Sequence, residues 1–172
     1  MPMCQPGPTS QSAAMTITVG GADTASPTAD HRLGRRFGLF AAVVAASIVL
    51  PFIFLGEGPR WYHLAFHLIG VPLCLLAIVV LRSVRRAAGS RTLRVMTWIS
   101  TVAFAAWGIG HAGELVTVLT HGGAHADEHL FEHPVHMFFA TIAVPSWMLS
   151  VVSSLVLLVT VGIQALRRRV RR

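Results

Sequence analysis

The fold of this chain is decided by the sequence WYHLAFHLIGVPLCLLAIVVL, which occupies residues 61–81. It contains no Asp, Glu, Lys or Arg, and as a helix it would rise about 30 Å, at about 1.5 Å per residue. That rise matches the thickness of the hydrocarbon core of a lipid bilayer. The stretch therefore predicts a transmembrane helix, and one that carries two histidines.

Three further apolar segments have the same character, at Phe37–Leu55, Val95–Leu119 and from near His133 to Leu166. The whole chain has 172 residues, of which 53% are hydrophobic and 12% charged, about half the charged fraction of ordinary soluble domains. Such a composition excludes a soluble enzyme. The two cysteines, one near the N-terminus and one inside an apolar segment, also exclude a disulfide scaffold. We expect an all-α integral membrane protein with four transmembrane helices, arranged as two helix hairpins.

The composition divides the chain at about residue 34. Residues 1–34 are rich in Pro, Ser, Thr, Gly and Ala and contain few large apolar side chains, so they predict a disordered tail. Residues 35–172 predict the four-helix transmembrane domain. Within it, residues 120–136 form a histidine-rich loop between the third and fourth segments.

The arginines predict the orientation of these segments. All 14 basic residues other than histidine are arginine, and 13 of them precede the first segment, separate the second from the third, or end the chain. By the positive-inside rule, both termini and the tail are cytoplasmic and the histidine-rich loop is extracytoplasmic. We expect a multi-pass protein of the plasma membrane, and the arginine-only, alanine-rich composition indicates a bacterial genome. The basic residues are not interleaved with aromatic ones on one surface, so no nucleic-acid partner is expected.

Four ionisable residues fall inside the predicted helices at similar heights. Counted at about 1.5 Å per residue from the nearest arginine below them, His67 and His63 lie about 22 and 28 Å up, and His111 and Glu114 about 26 and 30 Å. Each pair is spaced by three or four residues and shares a helix face. Ionisable groups inside a bilayer are unfavourable, and their usual explanation is functional. The pattern predicts a site of three histidines and one carboxylate in the outer leaflet.

Further candidate ligands lie in and beside the loop, which contains Asp127, Glu128 and Glu132 but no arginine. Imidazole and carboxylate together suit zinc, copper, nickel or iron, although a solvated, pH-sensitive loop has a similar composition. The histidines concerned are His121, His125, His129, His133 and His136.

The depth of His136 is left open by the sequence. It lies 31 residues, or about 46 Å of helix, from Arg167, which would place it well above the bilayer. A possible internal repeat instead aligns residues 63–72 with residues 136–145 and would set His136 level with His63. A kink at Pro145, a tilt or a cytoplasmic extension of the fourth helix would reconcile the two estimates.

Three functions are consistent with these patterns. The first is a His/Glu site for a transition metal (Zn, Cu or Fe), or a b-type haem whose two axial ligands are His67 and either His111 or His136, with a role in metal handling or redox chemistry. The second is a non-catalytic accessory or assembly subunit, acting as a homodimer or within a larger membrane complex. The third is a proton-linked or pH-sensing membrane protein. The sequence has no recognised catalytic motif, so no enzymatic activity is assigned.

Overall fold

Four helices make up the described part of the chain: α1 spans Pro27–Phe54, α2 Trp61–Ala87, α3 Arg91–Thr120 and α4 Pro134–Val170. The structure is a computed structural model that describes residues 27–54, 61–121 and 133–170, with side chains except at residues 27–33, 87, 168 and 169. Each helix contains a segment long and apolar enough to cross a membrane, which is consistent with a multi-pass membrane protein. The predicted all-helical architecture with four span-length helices is confirmed in this part of the chain.

The helix ends differ from the predicted boundaries at two places. α1 begins at Pro27, several residues before the predicted end of the tail, and proline is favoured at the first helical position because its missing N–H would have no partner there. The remainder of the predicted tail, residues 1–26, lies outside the described residues. α4 begins at Pro134, so His136 belongs to a helix and not to the loop.

The helices pack as a bundle whose interior contains both apolar and polar side chains. α3 packs against both α2 and α4, while α1 packs against α2 and less extensively against α4. Aromatic and aliphatic side chains such as Phe40, Leu81 and Trp107 form the buried core. On the outside, large apolar side chains are exposed, among them Val79 at 60% and Val116 at 61%. This apolar exterior is the arrangement that a lipid-facing bundle requires, because lipid solvates apolar side chains.

Two contacts fix α3 and α4 in an antiparallel register. The Ser100 hydroxyl donates to Ser153 Oγ at 2.9 Å. Gly110 faces Ala143 so closely that a Cβ on the glycine would lie 2.7 Å from Ala143 Cβ. Both contacts follow one register, because each is ten residues from the other on both helices.

The same register sets the height of His136 relative to α3. Extended toward the start of α3, it sets Arg91 level with residue 162, so α4 continues about eight residues, or about 12 Å, beyond α3. Much of the extra length of the fourth segment is thus taken up at its arginine-rich end. His136 therefore lies beside the C-terminal part of α3, at the height of Glu114.

Candidate metal centre

The first part of the site comes from the first two turns of α2. His63 and His67 are four residues apart and lie on one face of the helix. Their Nε2 atoms are 3.3 Å apart, and their rings meet edge to face with centroids 4.6 Å apart. His67 is buried, whereas His63 is half-buried.

The C-terminal half of α3 supplies two further groups to the same point. His111 and Glu114 are three residues apart, and both are buried in the bundle. Glu114 Oε2 lies 3.1 Å from His67 Nε2. On the other side of the same ring, His67 Nδ1 lies 2.9 Å from His111 Nδ1. His67 is therefore the centre of the site, with a polar neighbour at each ring nitrogen.

The start of α4 completes the site from a third helix. His136 is the third residue of α4 and is 6% exposed. Its Nδ1 lies 3.8 Å from Glu114 Oε2, and its ring centroid is 5.5 Å from that of His63. We refer to the five side chains gathered here as the His/Glu cluster: His63, His67, His111, Glu114 and His136.

Three side chains of the His/Glu cluster bring their ligand atoms close enough together to hold a metal ion. One nitrogen each from His63 and His67 and one oxygen from Glu114 all lie within 4.8 Å of one another. In a tetrahedral zinc site, bonds of about 2.0–2.1 Å place neighbouring ligand atoms about 3.3 Å apart. The separations of 3.3 Å between the two histidines and 3.1 Å between His67 and Glu114 are close to that edge length. Two imidazoles and a carboxylate are ligands that zinc, copper and iron accept.

A glycine on α2 makes room for the imidazole of His111. A Cβ built on Gly70 would lie 2.5 Å from His111 Nε2 and within 2.7 Å of two ring carbons. Phe66 meets the same ring edge to face at 4.7 Å, and Trp107 lies 4.9 Å from it on α3. These neighbours were not predicted from the sequence. The available signal is the position of Gly70, three residues after His67 and so on the same helix face.

No protein-family model, curated protein or solved structure matches this chain. Its function is therefore inferred from its own residues.

The hydrogen-bond network of the His/Glu cluster gives the most information about that function. Among the described residues, the buried His111 Nε2 has no hydrogen-bond partner. A neutral imidazole has one N–H and one lone pair. In one arrangement without a metal, His67 Nε2–H donates to Glu114 Oε2 and His111 Nδ1–H donates to His67 Nδ1, so the lone pair on the buried His111 Nε2 has no partner.

The loop histidines that the structure describes form a separate pair. His121 ends α3, with Nδ1 2.8 Å from the Thr117 carbonyl oxygen, and its ring centroid lies 4.6 Å from that of His133. His125 and His129 lie outside the described residues. The structure thus brings five of the nine predicted ligand residues into the His/Glu cluster and pairs two others apart from it.

Proposed function

We propose that this chain is a multi-pass membrane protein that binds a transition-metal ion, Zn, Cu or Fe, at the His/Glu cluster, with a role in metal handling or redox chemistry. The observation that carries the proposal is the convergence of three ligand atoms within 4.8 Å between α2 and α3. Ionisable groups within a bilayer-spanning region are unfavourable unless they pair or serve a function. A structural ion pair would need one histidine and Glu114, whereas this cluster brings His63, His67 and His136 close to one carboxylate and places His111 against His67.

The proposed ligands are the Nε2 atoms of His63 and His67 and one oxygen of Glu114, with His136 as the fourth. Metal-bound histidines usually donate their other ring N–H to a neighbour, which holds the ring in place. For His67 that neighbour is His111, whose Nδ1 lies 2.9 Å from His67 Nδ1. With Nε2 of His67 as a ligand, the remaining ring N–H of His67 would be on Nδ1 and would donate to His111 Nδ1. His111 is thus assigned a positioning role beside the metal.

The geometry supports a metal ion better than a b-type haem with His67 and His111 as its axial ligands. Two axial histidines must bind iron from opposite faces of a porphyrin, so the macrocycle has to fit between their rings. His67 and His111 instead contact each other directly, at 2.9 Å. Gly70, Phe66 and Trp107 close around His111 on its remaining sides.

The proton-linked alternative has less support from the bundle interior. On the same face of α3 as His111, the next side chains toward the arginine-rich end of the helix are those of Trp107 and Phe104. They are 2% and 0% exposed. Their rings pack at a centroid distance of 6.0 Å. Two large aromatic side chains at this level interrupt a polar path between the His/Glu cluster and the other end of the bundle.

The proposal includes an orientation and a location. The arginine-rich ends of the helices would face the cytoplasm by the positive-inside rule, and the His/Glu cluster would lie in the outer leaflet of a bacterial plasma membrane. In that arrangement the cluster lies close to the extracytoplasmic surface. It would receive its metal from outside the cell, past the pair formed by His121 and His133.

The proposal is tested by metal titration of the full chain, purified in detergent with a tag that lacks histidine. We expect near-stoichiometric binding of Zn²⁺, and a tetrahedral d–d absorption band when Co²⁺ replaces it. His67→Ala and Glu114→Gln should each abolish both signals, since each removes a ligand from the cluster. Thermal unfolding and circular dichroism of each variant report whether it has folded.

A double variant, His121→Ala with His133→Ala, is the matched control because it removes two histidines outside the His/Glu cluster. It should retain the stoichiometric Zn²⁺ site and the Co²⁺ band. The proposal is wrong if folded His67→Ala and Glu114→Gln bind Zn²⁺ as tightly as the natural chain. It is equally wrong if the control variant alone loses the metal.

A further inference from the structure

An open groove of about 760 Å³ lies at the end of the bundle opposite the His/Glu cluster, where α2 turns into α3. Its walls combine basic and apolar side chains. They include Arg85, Arg86, Arg91, Arg94, Trp98 and Ile99. The four arginines come from the last turn of α2 and the first turn of α3, so the short connection between the helices brings them together.

No acidic side chain that the structure describes lies beside the positive charge of this groove. None of its four arginines forms an ion pair with a described residue, and Glu114, about 30 Å away along α3, is the sole acidic side chain described. The dipoles of α2, which ends at the groove, and α3, which begins there, oppose each other, so the positive potential comes from the arginine side chains. An anion is therefore the ligand that this surface favours.

The apolar side of the groove continues from the arginines toward the middle of the bundle. Arg91, Arg94 and Trp98 are spaced by three and four residues, which places them in one row along α3. Trp98 lies about 6 Å below Arg94 along the helix axis and is 57% exposed. Tryptophan is typical of the boundary between lipid headgroups and acyl chains. The guanidinium groups lie toward the end of the bundle and the exposed indole lies toward its middle. A phospholipid has the same order of groups, with its phosphate at the membrane surface and its acyl chains inside the membrane.

We propose that this groove binds an anionic phospholipid, with the headgroup phosphate between the four arginines and an acyl chain along Trp98 and Ile99. Guanidinium groups bind phosphate through paired, charge-assisted hydrogen bonds. Basic pockets between transmembrane helices bind such headgroups. The site is independent of the metal centre, so the failure of either proposal leaves the other intact.

The test is a lipid titration of the full chain in an uncharged detergent, followed by native mass spectrometry. Phosphatidylglycerol is compared with phosphatidylcholine of the same acyl chains, and inorganic phosphate is a third probe. We expect phosphatidylglycerol to bind at least tenfold more tightly than phosphatidylcholine. Arg91→Gln with Arg94→Gln should weaken phosphatidylglycerol binding about tenfold, because each basic residue contributes to attraction of the anionic headgroup.

The matched control is Arg35→Gln with Arg36→Gln, which removes the same charge from exposed positions on α1 that do not line the groove. It should change the affinity less than twofold. Trp98→Ala should weaken binding of the lipid and leave binding of inorganic phosphate unchanged. If the first double variant does not fold by circular dichroism, Arg85→Gln with Arg86→Gln tests the same groove from α2.

Three results would overturn the proposal. Equal affinity for the two lipids would show that the groove does not select an anionic headgroup. Equal losses in the groove and α1 variants would show that diffuse charge, not this groove, attracts the lipid. Binding of inorganic phosphate as tight as that of phosphatidylglycerol would assign the groove to a free anion.

Discussion

Gly70 leaves space for the imidazole ring of His111 because it has no side chain. The three ring atoms of His111 nearest to it would lie 2.5 to 2.7 Å from a Cβ at this position. Gly70→Ala should therefore displace the ring, weaken its contact with His67 and lower the free energy of unfolding by about 1–3 kcal/mol, as overpacking does elsewhere. Thermal unfolding in detergent measures the loss.

Gly162→Ala is the matched control for this substitution. Gly162 is also helical, in α4, and a Cβ there would meet nothing within 4 Å. Since alanine is the better helix former by about 1 kcal/mol, this variant should be as stable as the natural chain or more so. Equal stability of the two alanine variants would contradict the proposed steric role of Gly70.

His111 and His67 should differ in what they contribute to metal binding. Loss of a side chain that orients a metal ligand typically lowers affinity 10- to 100-fold, whereas loss of the ligand itself removes the site. His111→Gln should therefore weaken Zn²⁺ binding about 10- to 100-fold and preserve the Co²⁺ absorption band, while His67→Gln abolishes both. Competition with a chromophoric chelator gives the affinities. Loss of the Co²⁺ band in folded His111→Gln would instead make His111 a ligand.

The packing of α3 against α4 depends on small residues. A Cβ on Gly110 would lie 2.7 Å from Ala143 Cβ and 2.9 Å from its Cα, and one on Gly113 would overlap the ring of Phe139. Close backbone approach through small residues is a common way for membrane helices to pack. In this bundle it also positions the start of α4, and hence His136, against Glu114.

Gly110→Ala should therefore separate α3 from α4 and lower the free energy of unfolding by about 1–3 kcal/mol. Adding Ala143→Gly should restore part of the loss, because the Cβ contact is relieved but the contact with the Ala143 backbone remains. The double-mutant cycle is measured by thermal unfolding in detergent. Gly38→Ala in α1, where a Cβ meets nothing within 4 Å, is the control. Additive effects of the two substitutions would contradict the close contact.

The helices could be predicted from the sequence more completely than the site. Apolar segments of bilayer length indicate helices without knowledge of their neighbours, and counting residues from the arginines set His67 and His111 at similar heights. The position of His136 required the register of α4 on α3, which depends on pairs such as Gly110 with Ala143. Such pairs involve residues far apart in the sequence, and a pattern along one segment does not encode them. For the same reason the space that Gly70 leaves for His111 became evident only from the packed helices.

The two ends of the bundle differ in their ionisable side chains. The His/Glu cluster lies near the end where α3 stops and α4 starts, and the arginine groove lies at the opposite end, about 30 Å away along α3. A membrane protein with this distribution should adopt one orientation, because the energetic cost of moving arginines across the bilayer opposes the other. The His/Glu cluster and the groove would then face different compartments.

The orientation is tested with single cysteines in a Cys4→Ser background, in which the native Cys74 is buried and should not react. Gly89→Cys reports on the arginine-rich end and His121→Cys on the other, since both positions are exposed. In intact bacterial cells, a membrane-impermeant maleimide should label the cysteine at position 121, and the one at position 89 only after permeabilisation. The reverse pattern, or partial labelling of both, would contradict the positive-inside orientation. It would also change the proposed source of the metal ion, because a cluster that faced the cytoplasm would bind an ion from the cell interior and not from outside.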